Sequence, residues 1–158
     1  MEDAARHPDD VPDAFEAAFA RLRIVIETAC AGEPDWPAGV AAGIRAALEL
    51  VASQPADARI LTTEALADGR PGFARYDRVI TYLRDLLIPG RAERPDADRL
   101  PKETERALAG GIAMLVAQRL DTGDHTELPS LATEATQFVL TPYLGIAVAK
   151  RIAPTANN

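Results

Sequence analysis

The chain has 158 residues, 47% of them apolar but only 5% aromatic, with a net charge of −7 and a pI near 4.8. That length suits one domain with a substantial core, and the alanine-rich, aromatic-poor composition favours helix over sheet. The acidic balance argues against nucleic-acid binding by the chain as a whole, which calls for a basic footprint.

A single cysteine, Cys30, excludes an intrachain disulfide and fits a reducing compartment. No apolar run approaches the ~20 residues of a membrane span, and the acidic start does not resemble a signal peptide. The expected location is cytoplasmic, with no membrane association.

Residues 1–12 are polar and acidic and carry two prolines, so a flexible lead-in is expected there. Asp13 can cap a helix running to about Ala31, with Phe15, Phe19, Leu22, Ile26 and Ala29 on one face. Gly32-Glu33-Pro34 ends it, and Asp35-Trp36-Pro37 opens a second helix with Val40, Ile44, Ala47, Leu48 and Val51 as its stripe. Trp36 is read as packing over that helix start, with ligand stacking as the alternative.

Ser53-Gln54-Pro55 is a further helix start. The third helix, about Ala56 to Ala67, turns Ile60, Leu61 and Ala65 inward with Glu64 among them. Asp68 to Gly72 breaks the chain. A fourth helix, about Phe73 to Ile88, aligns Phe73, Tyr76, Ile80, Leu83 and Leu87, and Pro89-Gly90 stops it. Residues 91–99 form a charged connection.

The stretch Leu100–Leu120 has two apolar faces when wound at about 100° per residue. Leu108, Ile112, Leu115 and Val116 line one, with Arg119 in the same sector. Gly110, Ala113, Met114 and Ala117 line the other, and three of these four are small. Gly110 and Gly111 each cost roughly 0.5–1 kcal/mol in a helix interior, which suggests a second helix coming close. That helix belongs either to a partner subunit or to the same chain in a three-layer bundle.

Asp121-Thr122-Gly123-Asp124 is a turn, and a sixth helix starts near Pro129 with Leu131, Ala135, Phe138 and Val139 aligned. Thr141-Pro142 is expected to interrupt it. A short apolar stretch from Ile146 leads into residues 153–158, read as a disordered tail. The folded unit would span 13–152, with no strand and no second domain.

Enzyme signatures are mostly absent. His7 and His125 have no metal-ligand spacing, Asp121, Asp124 and His125 read as a solvated turn, and no glycine loop is built to hold a phosphate. Cys30 reads as a small buried hydrophobe. The expectation is no enzyme, no metal and no cofactor. Glu64 invites two readings, a salt bridge to Arg45 or Arg84, or a polar group beside Tyr76 in an apolar ligand pocket to which Arg119 lends a charge.

Several pieces in order carry a resemblance. These are Pro34-Asp35-Trp36-Pro37, Pro55 to Arg59 followed by Thr63 to Ala67, Leu100-Pro101 leading to Gly110-Gly111-Ile112, Leu128 to Leu131, and Thr141-Pro142-Tyr143-Leu144-Gly145. Together they resemble the C-terminal ligand-binding and dimerisation domain of TetR/AcrR-type transcriptional regulators. The resemblance implies an all-α antiparallel bundle whose last two long helices form a dimer. The interface candidates are Gly110, Ala113, Met114, Ala117, Leu131 and Phe138.

It also implies a pocket for a small apolar effector, with Leu48, Leu61, Glu64, Phe73, Tyr76, Ile80, Ile112 and Arg119 as candidate lining. The dozen residues before Asp13 cannot hold a helix-turn-helix, so DNA binding by this chain is not expected. The implied function is therefore an effector-binding, homodimerising regulatory domain, possible partners including a full-length relative of the same type. The alternative is a helical adaptor that pairs with such a regulator, or with another protein, and binds no ligand.

Overall fold

A computed structural model describes residues 10–153. The expectations for residues 1–9 and 154–158, including His7, lie outside the described residues. All regular structure among the described residues is helical, without a strand: α1 (Asp10–Ala31), α2 (Trp36–Ser53), α3 (Pro55–Leu61), α4 (Thr63–Ala67), α5 (Gly69–Leu87), α6 (Thr104–Thr122), α7 (Ala132–Leu144) and α8 (Ile146–Ile152). Tight 3₁₀ turns at Ile88–Glu93, Ala97–Arg99 and His125–Leu131 join them.

The first two helices form the frame. On α1, Phe15, Ala18, Phe19, Leu22 and Ile26 recur at three- and four-residue spacing and are all buried, the pattern of an amphipathic helix. Asp35 stops the turn that follows. Its backbone is extended (φ −148°, ψ 169°) and its side chain accepts the Ala38 N–H at 2.9 Å, while Pro37 occupies the first turn, where no amide is needed. Helix α2 then runs back along α1, and Gly39 and Gly43 make the approach close. A Cβ on Gly43 would sit 3.1 Å from Cys30 Sγ and 3.4 Å from Ile26 Cγ2.

The expected third helix is two helices. Thr62 leaves helical geometry (φ −123°, ψ −90°), and its hydroxyl donates to the Ala58 carbonyl at 2.7 Å. After this break Glu64, expected among Ile60, Leu61 and Ala65, is exposed, while Ala65 is buried. Helix α5 starts earlier than expected because Gly69 takes a left-handed conformation (φ 62°) and Pro71 falls in the first turn. Its inward set is Gly72, Val79, Ile80 and Leu87, which leaves Phe73 58% exposed.

Past α5, the charged connection is fastened rather than loose. Arg91 binds the buried carboxylate of Glu105 and the carbonyls of Ala97, Leu100 and Pro101, and Arg94 binds Asp96 and the Pro142 carbonyl. Trp36 closes this end. Its indole N–H donates to Leu86 O at 3.0 Å, its ring meets Tyr143 edge-on at 5.2 Å, and Gly90 lies directly against it.

Helix α6 packs on α5 through Ala109 and Ala113 against Ile80, and towards α2 through Val116 and Leu120. Gly123 ends it in a left-handed conformation (φ 80°). Helix α7 packs on α2 and α8 through Val139, Leu140 and Tyr143. Contrary to expectation, α7 passes through Pro142 to Leu144 and stops at Gly145 (φ 77°). The central helix is therefore α2, with α1 on one side and α7 with the 125–131 turn on the other. The sequence pattern had pointed to α6 as the doubly buried helix.

Candidate ligand cavity

An apolar cavity of about 510 Å³ lies along the inner side of α2, within the range of small-molecule sites. Helix α2 lines it turn after turn, at Trp36, Gly39/Val40, Gly43/Ile44, Ala47/Leu48 and Leu50/Val51, with Gln54 at the end. Opposite runs the stripe of α1, Ala18, Leu22, Ile26 and Cys30. Leu61 of α3, Val79 and Leu83 of α5, and Ile112, Ala113 and Val116 of α6 complete the walls. These positions follow from periodicity: each helix offers one apolar stripe, and the stripes face a common axis.

Hydrogen-bonding capacity inside is small, and most of it is already used. The Thr62 hydroxyl bonds Ala58 O, the Trp36 N–H bonds Leu86 O, and the Cys30 thiol lies 3.3 Å from Gly39 O, to which it donates. Burial pushes the Cys30 thiol above its ordinary value of 9.0, with Glu27 and Glu33 adding to the rise. A thiol held neutral in this way is a poor nucleophile. The carboxylates of Glu33, Asp35, Asp57 and Asp85 lie at the two ends of the cavity, on residues that are exposed or half-buried. The arrangement can hold an apolar molecule by removing it from water, at about 25 cal/mol per Å² of apolar surface.

The cavity brings together Leu48, Leu61 and Ile112 of the eight candidates taken from the sequence. The other five lie elsewhere. Glu64 is exposed. Phe73 sits in a shallow surface depression with Leu66, Arg70 and Asp77. Tyr76 packs with Ile80, Ala109 and Ala113 on the α5/α6 contact, and Arg119 pairs with Glu127 at 3.6 Å. Arg84, considered as a partner for Glu64, bonds Asp85.

Sequence reasoning missed the α1 wall and the glycines of α2. The Gly39-x-x-x-Gly43 spacing was the available signal, since it places two side-chain-free positions on one helix face.

The outer face of α6 also differs in phase from the expectation. Ala113 and Ala117 are buried in the protein's own core, and Gly110 is half-buried. The exposed set on α6 is Ala107, Gly111, Met114, Gln118, Asp121 and Thr122. Met114 is 59% and Phe138 of α7 50% exposed, Leu131 is half-buried, and the Phe138 ring lies 3.4 Å from where a Cβ on Gly111 would be.

Among the described residues no group of three or more His, Cys, Asp or Glu side chains is placed to hold a metal ion, and no helix is long and apolar enough to cross a membrane. No protein-family model, curated protein or solved structure matches the chain.

Proposed function

We propose that this chain is the effector-binding and dimerising domain of a TetR-like transcriptional regulator. The observation that carries the reading is the apolar cavity along α2, enclosed by α1, α3, α5 and α6. A small apolar effector would occupy it. One wall of that cavity is the inner face of α6, whose outer face presents Gly111 and Met114 beside Phe138 of α7. A second copy packing there would form a four-helix contact, and occupancy of the cavity would bias the position of α6 and hence the pairing.

The test is a thermal-shift screen of apolar molecules together with measurement of mass in solution. Saturable stabilisation of a dimer supports the reading, and a monomer with no stabilisation by any compound overturns it. The adaptor reading draws on the same Met114–Phe138 surface. It predicts a stable complex with a full-length relative and no ligand response.

A further inference from the structure

The charge pattern of the cavity narrows what it can take. The walls run the length of α2, from Trp36 to Gln54, about 27 Å at 1.5 Å per residue. They are also lined by successive turns of α1 from Ala18 to Cys30. The space is therefore elongated along these two helices, and a long molecule would have its tail inside and its head near one end. Among the described residues no lysine, arginine or histidine lines the cavity. An acidic head drawn into the cavity would find no cation to neutralise it, and burying it unpaired is costly.

The ends do not relieve that cost. At one end, Asp57 is paired with Arg21 at 2.6 Å, so that opening is close to neutral. At the other lie Glu33, Asp35 and Asp85, and among the described residues Arg84, bonded to Asp85, is the guanidinium paired with them. The C-termini of α1 at Ala31 and of α5 at Leu87 also lie at this end, and their carbonyls carry partial negative charge. The N-terminus of α2, which would favour an anion at this end, is capped by Asp35. Burial is the largest cause of the raised pKa of the Cys30 thiol, and the charges of Glu27 and Glu33 add to it.

We infer that the cavity selects elongated lipophiles whose head is neutral or cationic, and rejects those with a carboxylate or phosphate head. This rests on the ligand-binding reading above and adds the sign of the ligand's charge. Three probes of one chain length separate the two claims: decanol, decyltrimethylammonium and decanoate. Each is titrated by calorimetry against the full chain at neutral pH, below the concentration at which it forms micelles.

The expected result is that decanol and decyltrimethylammonium bind, while decanoate binds at least about tenfold more weakly than decanol. Glu33→Gln combined with Asp85→Asn, both at exposed positions, should narrow the gap between decanol and decanoate severalfold, and added salt should narrow it too. Decanoate binding as tightly as decanol overturns the charge selection and leaves the cavity reading standing. If none of the three binds, both fall. Ile112→Trp, which fills the cavity from α6, should abolish binding of all three. Binding that survives it marks adsorption outside the cavity and also overturns the inference.

Discussion

Arg91 grips the buried carboxylate of Glu105 from both sides, Nε donating to Oε1 at 2.7 Å and Nη2 to Oε2 at 2.9 Å. Tyr143 donates its hydroxyl to the same Oε1 at 3.2 Å. Three segments distant in sequence thereby meet on one anion: the turn after α5, the start of α6 and the end of α7. Burial pulls the Glu105 pKa up, but the bonds from Arg91, from its own backbone N–H and from Tyr143 outweigh it and hold the group below 4.5.

A carboxylate depressed in the folded state stabilises fully above its unfolded pKa. The contribution is lost as pH falls below 4.5 through the folded value. Glu105→Gln should therefore lower stability by about 2 kcal/mol at pH 7 and flatten its acid dependence. Urea unfolding at a series of pH values measures both. Equal acid slopes for the two proteins would show that the carboxylate has the same pKa folded and unfolded, and that the bonds from Arg91 and Tyr143 do not lower it.

Gly90 leaves the space that the Trp36 indole occupies, and any Cβ there would overlap the ring. Gly90→Ala should cost about 1–3 kcal/mol as an overpacking defect and disturb the Trp36 environment. Tryptophan fluorescence reads this cleanly, since the chain has a single tryptophan. An unchanged spectrum and midpoint would contradict the contact.

Leu48 is 2% exposed and faces the cavity. Leu48→Ala should destabilise by roughly 2–4 kcal/mol, at the lower end of the range if the existing space already weakens packing there. It should also admit larger ligands. Denaturant midpoints and a comparison of ligand sizes test the two effects separately.

Pairing through the outer face of α6 and α7 predicts that Met114→Arg with Phe138→Arg yields a monomer with little loss of subunit stability, because both residues are half or more exposed. Ala113→Trp tests something else: Ala113 is buried against Ile80, so this change strains the core of the subunit. Sedimentation and thermal unfolding distinguish them. A dimer that survives both arginines removes this face as the contact.

The Cys30 thiol should react slowly with iodoacetamide at neutral pH, faster as pH rises above 9.0, and more slowly when the cavity is filled. Glu33→Gln should speed it modestly, because Glu33 is one of the charges raising the pKa. Ligand that leaves the rate unchanged would place it away from α1.

Much of the fold was legible in strong local signals. The Asp35-Trp36-Pro37 start, the apolar stripe of α1 and the glycine end at Gly123 are written in a few residues each. The errors arose where tertiary contacts outweigh local ones. Thr62 breaks a stretch whose apolar spacing reads as continuous, and Glu64 after the break is exposed. Pro142 removes one backbone donor, yet α7 continues to Leu144, with Thr141 Oγ1 bonding Gln137 O at 2.6 Å and Arg94 bonding the Pro142 carbonyl. For α6 the helical wheel was right in period but not in phase. Small residues were taken as the outward set, yet Ala109, Ala113 and Ala117 are the ones that let α5 and the core come close.

Gly39 and Gly43 give the cavity two unlike sides. Where α1 meets α2, Gly43 lies against Cys30 Sγ and Ile26 Cγ2, so a larger residue there would press on the α1 wall. On the far side, Val79, Leu83, Ile112 and Val116 project from α5 and α6, where one side chain can be exchanged for another of different length while the helices stay put. Changes in what this scaffold accepts should therefore accumulate on α5 and α6, with α1 and α2 serving as the fixed jaw against which every guest is measured.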